Sequence, residues 1–300
     1  MNTPQEMLRV MDVRDRMYRA IRRYFHDKGF IEVQTPVCLE TPALEHFIDA
    51  QPCGNKYLRT SPELHMKRML CAGASKIFQM GQCFREGEKG RLHNPEFTML
   101  EWYRAYADYT DILLDTKILI SSIIAEVMGT KIIPFGSRKI DFSGQWDCVS
   151  VSEAFLLHAG WDPLKKFDQD RFDVDLVSKV EPALPRDRPI VLKDYPVEAA
   201  ALALLSEMPV PHAERWELYI GGMEIANAFS ELTDPVEQRS RFEECAVFRA
   251  SRGMPVYQLD EAFLAALEKG MPRSAGIALG LDRLLMLLVD ADNIAQVIFD

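Results

Sequence analysis

KIFQMGQCFREGEKGRLHNPEFTMLEWYRAY, from Lys76 to Tyr106, decides the fold. Its spacing predicts two strands joined by a charged loop. Ile77, Phe78, Met80, Cys83 and Phe84 supply the apolar, β-favouring content of the first strand. Phe97, Met99, Leu100, Trp102 and Tyr103 supply that of the second. The residues between, Arg85 to Asn94, are nearly all charge, glycine and histidine. Period-two alternation puts Phe97, Met99, Glu101 and Tyr103 on one face of the second strand and Thr98, Leu100 and Trp102 on the other. Glu101 is then a carboxylate among aromatics. A buried ion without a partner either protonates or recruits a cation, so something positive belongs beside it. An internal Arg or Lys, the commoner arrangement in proteins, and a bound ammonium both satisfy that requirement.

The chain has 300 residues, 48% of them hydrophobic, enough for a large core and no disorder. A formal charge of -10 and a pI near 5.2 argue against general polyanion binding, which rests on an excess of Lys and Arg. The six cysteines, at 38, 53, 71, 83, 148 and 245, lack the paired short spacing that holds zinc and read as reduced core thiols. The N-terminus has charge every few residues and no apolar core, so no signal peptide is expected. No stretch approaches the roughly 18 apolar residues of a membrane span, and a cytoplasmic protein is expected.

Upstream, Thr3-Pro4 marks a helix start, and Leu8, Met11, Met17, Ile21, Tyr24 and Phe25 recur near helical spacing up to Gly29. An arginine-rich opposite face reads as solvated. Phe30 to Thr35 reads as a strand stopped by Pro36, and Ser61 as the N-cap of a helix with Pro62 and Glu63 in its first turn. Asp108 caps a scaffold helix ending at Gly129, and residues 131–188 carry no obvious chemistry. In ERWELYIGGMEIANAFSEL, a two-residue Gly221-Gly222 turn makes Tyr219 face Glu224 and sets Glu217 diagonally beside it. That carboxylate pair suits Mg²⁺ shared with phosphate oxygens, or is simply a solvated acidic hairpin. On a straight strand Glu224 and Glu231 point to opposite faces, so a bulge near Ala226 is expected if both reach one site. SAGIALGLDRLLMLLVD reads as a glycine-spaced strand, a turn at Gly280 and a helix whose first turn carries Asp282 and Arg283, a start suited to phosphate.

FREGEKGRLHNPEFTMLEWY resembles motif 2 of class II aminoacyl-tRNA synthetases in its lysyl form. The helix-strand-Pro order near the N-terminus is similar to motif 1, MEIANAFSEL resembles the lysyl enzymes' second signature, and SAGIALGLDRLL resembles motif 3. The resemblance spans nearly the whole chain and implies an α+β fold, an antiparallel sheet flanked by helices, in one catalytic domain over residues 1–300. It further implies that Arg85 grips the ATP α-phosphate and the reacting carboxylate, that Phe97 stacks on adenine, and that Arg283 holds the γ-phosphate beside Gly280. Glu86, Gly87, Asn94 and Ile225 would be further nucleotide contacts, and Glu217 and Glu224 would hold Mg²⁺. Glu101 and Tyr103 would hold a lysine ε-ammonium and Glu63, in Ser61-Pro62-Glu63, the other ammonium, with Asn227, Phe229, Glu231 and Ala278 lining the pocket. Two departures stand out: Arg85-Glu86-Gly87-Glu88 replaces the usual Arg-x-Glu, and Ala278 replaces a glycine.

Lysyl-tRNA synthetases carry an N-terminal anticodon-binding barrel, whereas this chain begins almost at motif 1. The expectation is therefore no anticodon-type tRNA binding. With HNPEFTMLEWYR and Ala278, the chain is similar to the synthetase paralogues that attach (R)-β-lysine, through its adenylate, to a lysine of elongation factor P. A homodimer is implied as well. A truncated lysyl-tRNA synthetase, another amino-acid adenylating ligase and a non-catalytic regulatory paralogue are the alternatives.

Overall fold

The computed structural model describes residues 3–298. Helix α1 (Pro4–Asp27) opens with a capping box: Thr3 Oγ1 accepts from the Glu6 N–H, and the Glu6 carboxylate accepts from the Thr3 N–H. Short strands β1 (Ile31–Glu32), β2 (Cys38–Leu39), β3 (Pro52–Cys53) and β4 (Lys56–Leu58) lead to α2 (Glu63–Cys71). The long pair β5 (Lys76–Phe84) and β6 (Glu96–Ala105) comes next, then α3 (Tyr109–Met128). The hairpin β7 (Ile132–Phe135) and β8 (Arg138–Asp141) precedes β9 (Asp147–Ser150), α4 (Val151–His158) and α5 (Gln169–Asp175). A π-helical stretch, Leu176–Val180, and the single turn α6 (Glu181–Ala183) close that half. The rest comprises β10 (Ile190–Tyr195), β11 (Ala213–Ile220), β12 (Met223–Ser230), α7 (Pro235–Ser251), α8 (Glu261–Glu268), β13 (Ser274–Gly280) and α9 (Leu281–Val289).

Eight strands form one sheet in the order β1-β5-β6-β13-β12-β11-β10-β9. The outer pairs β1-β5 and β9-β10 are parallel and the pairs between them antiparallel, so the α+β expectation holds. Strand β13 lies between β6 and β12, which brings the three distant motifs together: Glu101 opposes Ala278, and Ala278 opposes Asn227. Alternation gives the sheet two unlike faces. Leu100, Trp102, Trp216, Ala228 and Ile277 pack with Phe25 of α1, Ile123 of α3 and Leu285 of α9 in the main core. The other face carries the polar residues singled out from the sequence.

Gly221 and Gly222 both have positive φ, 64° and 83°, and form the two-residue turn, with Ile220 opposite Met223 and Tyr219 opposite Glu224. Leu218 then pairs with Ala226, leaving Ile225 as the extra residue of a bulge one position before the expected one. The slip returns Glu224 to the face shared by Asn227, Phe229 and Glu231.

Several expectations are corrected. The Phe30 to Thr35 strand shrinks to Ile31–Glu32, because beyond it the Thr35 N–H turns to the Gln79 side chain at 2.9 Å. Leu8 and Met11 are 65% and 52% exposed, since the buried stripe of α1 runs through Val10, Val13, Met17, Ile21 and Phe25. Ser61 lies one residue outside the cap of α2, though its Oγ accepts from the Glu63 N–H at 2.9 Å. Only Cys83 and Cys245 are buried; Cys38, Cys53 and Cys148 are exposed on the short strands β2, β3 and β9, and all six are free thiols. Among the described residues no helix is long and apolar enough to cross a membrane.

Helix α3 packs beneath the sheet and begins with a complete capping box, Asp108 Oδ1 accepting from the Thr110 and Asp111 N–H groups. Asp108→Ala should cost about 1 kcal/mol of stability. A shifted urea midpoint at constant slope would show this, and an unmoved midpoint would show that the cap contributes nothing.

Candidate active site

A cavity of about 730 Å³ lies over the polar face of the sheet. Its floor includes Phe97, Glu101 and Tyr103 of β6, Glu217 of β11, Glu224, Ile225, Asn227 and Phe229 of β12, and Gly276, Ala278 and Gly280 of β13. Ser61 and Glu63 at the start of α2, Arg85, Glu88 and Asn94 of the β5–β6 loop, and Arg283 of α9 form its sides.

Four expected site residues are not on this wall. Pro62 is buried at the α2 start. Glu86 donates its N–H to the Asp49 carbonyl at 2.8 Å, and Gly87 turns the loop with φ 76°, so Glu88 takes the wall position instead. Glu231 sits behind the wall with 1% exposure.

At one end, Glu101 is 1% exposed; Ser61 Oγ donates to its Oε1 at 2.7 Å and the Tyr103 hydroxyl to its Oε2 at 2.9 Å. No Lys or Arg forms an ion pair with it among the described residues. Burial therefore pushes its carboxyl up to about 8, the charge of Glu63 adding to the effect and the two hydrogen bonds offsetting only part of it. Behind it lies Lys67, fully buried, its Nζ 2.6 Å from Glu63 Oε1, 2.5 Å from Glu231 Oε2 and 5.2 Å above the Phe229 ring. Burial pushes Glu231 up as well, and Lys67 pulls it back. A Cβ on Gly276 would collide with Glu231 and Tyr103, so glycine is required for this approach. Lys67 thus serves Glu63 and Glu231, while Glu101 beside them has no cationic partner among the described residues. Lys67 was missed in the sequence because an i,i+4 Glu-Lys pair on a helix normally signals a surface ion pair.

The other end is rich in arginine. The Arg85 guanidinium lies 5.2 Å from the Phe97 ring centroid and 3.5 Å from Glu88. Arg283 donates to the Glu224 carbonyl at 2.7 Å and approaches its Oε2 at 3.3 Å. Asp282 accepts from the Thr98 N–H at 2.6 Å, fixing the start of α9 to β6. On β11, across the sheet in the row of Phe229, Gly276 and Tyr103, Arg215, also unforeseen, reaches Glu217 at 2.6 Å, Asn227 at 3.1 Å and the Ala199 carbonyl at 2.7 Å, with its guanidinium 4.5 Å from the Tyr195 ring centroid. The Tyr219 hydroxyl donates to Glu217 at 2.7 Å and lies 3.2 Å from Glu181, whose carboxyl burial pushes up to about 7 with Glu217 and Glu224 adding. No group of three or more His, Cys, Asp or Glu that could hold a metal ion occurs among the described residues. The half-exposed Glu224 fits a Mg²⁺ that keeps waters and phosphate oxygens; Glu217 joins only by releasing Arg215 or Tyr219. Residues 131–188, silent in the sequence, contribute Gln169, Phe172, Asp173 and Leu176 to the cavity.

Residues 2–299 match the family of tRNA synthetases class II (D, K and N), and the chain belongs to that family. Within it, the chain is 37% identical to the elongation factor P–(R)-beta-lysine ligase of Hamiltonella defensa, over 94% of this chain and 91% of that one. The same identity links it to the ligase of that name from Edwardsiella ictaluri, over 93% and 90% of the two chains. A lysine–tRNA ligase from Pelotomaculum thermopropionicum is also 37% identical over 98% of this chain, which spans 63% of that protein.

The folded protein keeps Glu101 protonated to about pH 8, while an unfolded chain releases that proton near about 4.3. The native state therefore binds the extra proton between those values, and this residue makes the ligand-free protein less stable as pH rises through that window. The melting temperature should fall across that range, and Glu101→Gln should flatten the slope; identical slopes in both proteins would show that Glu101 is already ionised.

Proposed function

We propose that this chain is an ATP-dependent ligase that activates (R)-β-lysine as its adenylate and transfers it to a lysine side chain of elongation factor P. The observation that carries the reading is Glu101: a buried carboxylate with hydrogen bonds but no ion pair among the described residues, in a cavity that also presents Arg85, Phe97 and Arg283. Relatives bearing that activity in their names, matched over about nine-tenths of their length, support it. So does the ratio of three carboxylates to one ammonium, which a diamino acid's two cations would balance.

In this reading Glu101, with Ser61 and Tyr103, holds the ε-ammonium, and Glu63 receives the amine nearer the carboxylate. Lys67 and Glu231 fix Glu63 from behind, and Asn227, Phe229 and Ala278 shape the chain's path. Phe97 offers a stacking face for adenine. Arg85 bridges the amino-acid carboxylate and the α-phosphate, and Arg283 holds the terminal phosphates beside Gly280. Magnesium bound at Glu224, with Glu217, would neutralise phosphate charge. No side-chain nucleophile is needed; the carboxylate attacks the α-phosphorus, pyrophosphate leaves, and an ε-amine of the acceptor later displaces AMP. The chain's contribution is alignment and charge stabilisation. Exposed Leu8, Met11 and Ile31 support a homodimer through α1 and β1, and we place the enzyme in the cytoplasm.

The test offers purified protein ATP and labelled β-lysine with either elongation factor P or lysine tRNA. Label should enter elongation factor P; efficient tRNA charging would overturn the acceptor assignment, and absence of ATP–pyrophosphate exchange with every lysine isomer would overturn the enzymatic one.

Two substitutions probe the pocket. Glu101→Gln should lower kcat/KM for exchange by about 10²-fold or more, the several kcal/mol expected for a lost buried charge partner, without loss of the folded state; near-normal exchange would return Glu101 to a structural role. Ala278 stands between Glu101 and Asn227, so its methyl narrows the path of the amino-acid chain. One such contact is worth about 1–3 kcal/mol, and Ala278→Gly should raise α-lysine use relative to β-lysine roughly tenfold or more. An unmoved ratio of specificity constants would locate the selectivity elsewhere.

A further inference from the structure

Glu45 lines the same cavity, and no role above uses it. It lies on the segment between β2 and β3, whose backbone is held from below: Arg249 of α7, fully buried, donates to the carbonyls of Glu45 at 2.7 Å and Ile48 at 3.0 Å and pairs with Asp49. The Glu86 N–H closes the same segment onto the Asp49 carbonyl at 2.8 Å. A backbone so anchored presents a carboxylate that makes no hydrogen bond or ion pair among the described residues. The charged and titratable groups facing it are Arg85 and Glu88 of the β5–β6 loop, Glu63 of α2 and Arg215 of β11, with Arg249 and Cys245 of α7 on its inner side. Burial pushes the Glu45 carboxyl up to about 7; Arg85 opposes this, and Glu63 and Glu88 add to it.

We propose that Glu45 is the general base of the transfer half-reaction, taking the proton from the acceptor amine. The inference rests on the ligase reading above. Its geometric basis is that Glu45 borders the same cavity as Arg85, assigned above to the α-phosphate, and Glu63, assigned to the amine next to the activated carboxyl, so its unpaired carboxylate opens into the space where the acyl–phosphate junction would lie. The other carboxylates of that end are committed: Glu63 and Glu231 to Lys67, and Glu101 to Ser61 and Tyr103. A protein lysine, with a pKa of about 10.4, arrives as an ammonium and cannot attack until it loses a proton. In the step, the ammonium gives one proton to the Glu45 carboxylate and the neutral nitrogen bonds to the acyl carbon. The carbon–oxygen bond to phosphate breaks, the nitrogen's second proton passes to a phosphate oxygen, and AMP leaves with an amide formed. A carboxyl poised near neutrality both accepts that proton and returns it to solvent.

The experiment uses the whole protein with preformed β-lysyl-adenylate, in single turnover, against full-length elongation factor P and against hydroxylamine, which is already neutral at pH 7. In Glu45→Gln, transfer to elongation factor P should fall by about 10²-fold or more, and this loss should exceed any loss in ATP–pyrophosphate exchange at least tenfold. Reaction of the adenylate with hydroxylamine should fall far less than transfer to the protein. Wild-type transfer should rise through pH about 7, an inflection that the variant lacks. Equal losses in exchange and transfer would mean that Glu45 binds the amino acid, and undiminished transfer would mean that it does neither; either overturns the proposal. Failure of the wild type to exchange pyrophosphate would instead overturn the ligase reading beneath it.

Discussion

The ammonium of Lys67, without exposed surface, lies between Glu63 and Glu231 and joins two separate stretches of chain. It ties α2 to the end of β12, and Glu231 in turn lies against Gly276 of β13, where no larger residue fits. Without this cation two buried carboxylates would be left facing each other beside a third, a change that typically costs about 3–5 kcal/mol for each broken buried pair. Its consequence for chemistry is a division of labour. Glu63 and Glu231 share the Lys67 ammonium, whereas Glu101, among aromatics and hydroxyls, has no ion pair among the described residues. In the proposed reading, Glu101 is protonated in the free protein and ionised when an ammonium binds beside it.

Sheet order converts that local electrostatics into a site of the right length. Because β13 inserts between β6 and β12, Arg283, in the first turn of α9 just beyond it, and Glu101 on its neighbour line one cavity. The bulge at Ile225 matters as much as any side chain. Without it Glu224 would turn into the core among Trp216 and Ile277, an unpaired carboxylate in apolar surroundings. With it, Glu224 meets Arg283 at 3.3 Å on the cavity side. The apolar face packed on α1, α3 and α9 holds these positions still, which is what alignment of two substrates demands.

Alternation and turn chemistry made much of this legible in the sequence. The face of Glu101, the Gly221-Gly222 turn and the need for a bulge all follow from a period of two and from glycine's access to positive φ. Side-chain direction within an irregular loop does not: Glu86 and Gly87 belong to the right segment, but the turn at Gly87 hands the wall to Glu88. Contributions that depend on packing across long separations were equally silent. Lys67 looks like half of a surface pair until β12 covers it, Arg215 like one charge in an alternating strand, and Glu45 like a loop residue until Arg249, some two hundred positions later, fixes its backbone.

The most direct measurement compares ATP–pyrophosphate exchange driven by β-lysine with that driven by its analogue of equal chain length lacking the distal ammonium. If Glu101 is the unpaired end of the pocket, losing that one cation should reduce kcat/KM by about 10²-fold or more. Comparable exchange with both compounds would contradict the ammonium pocket.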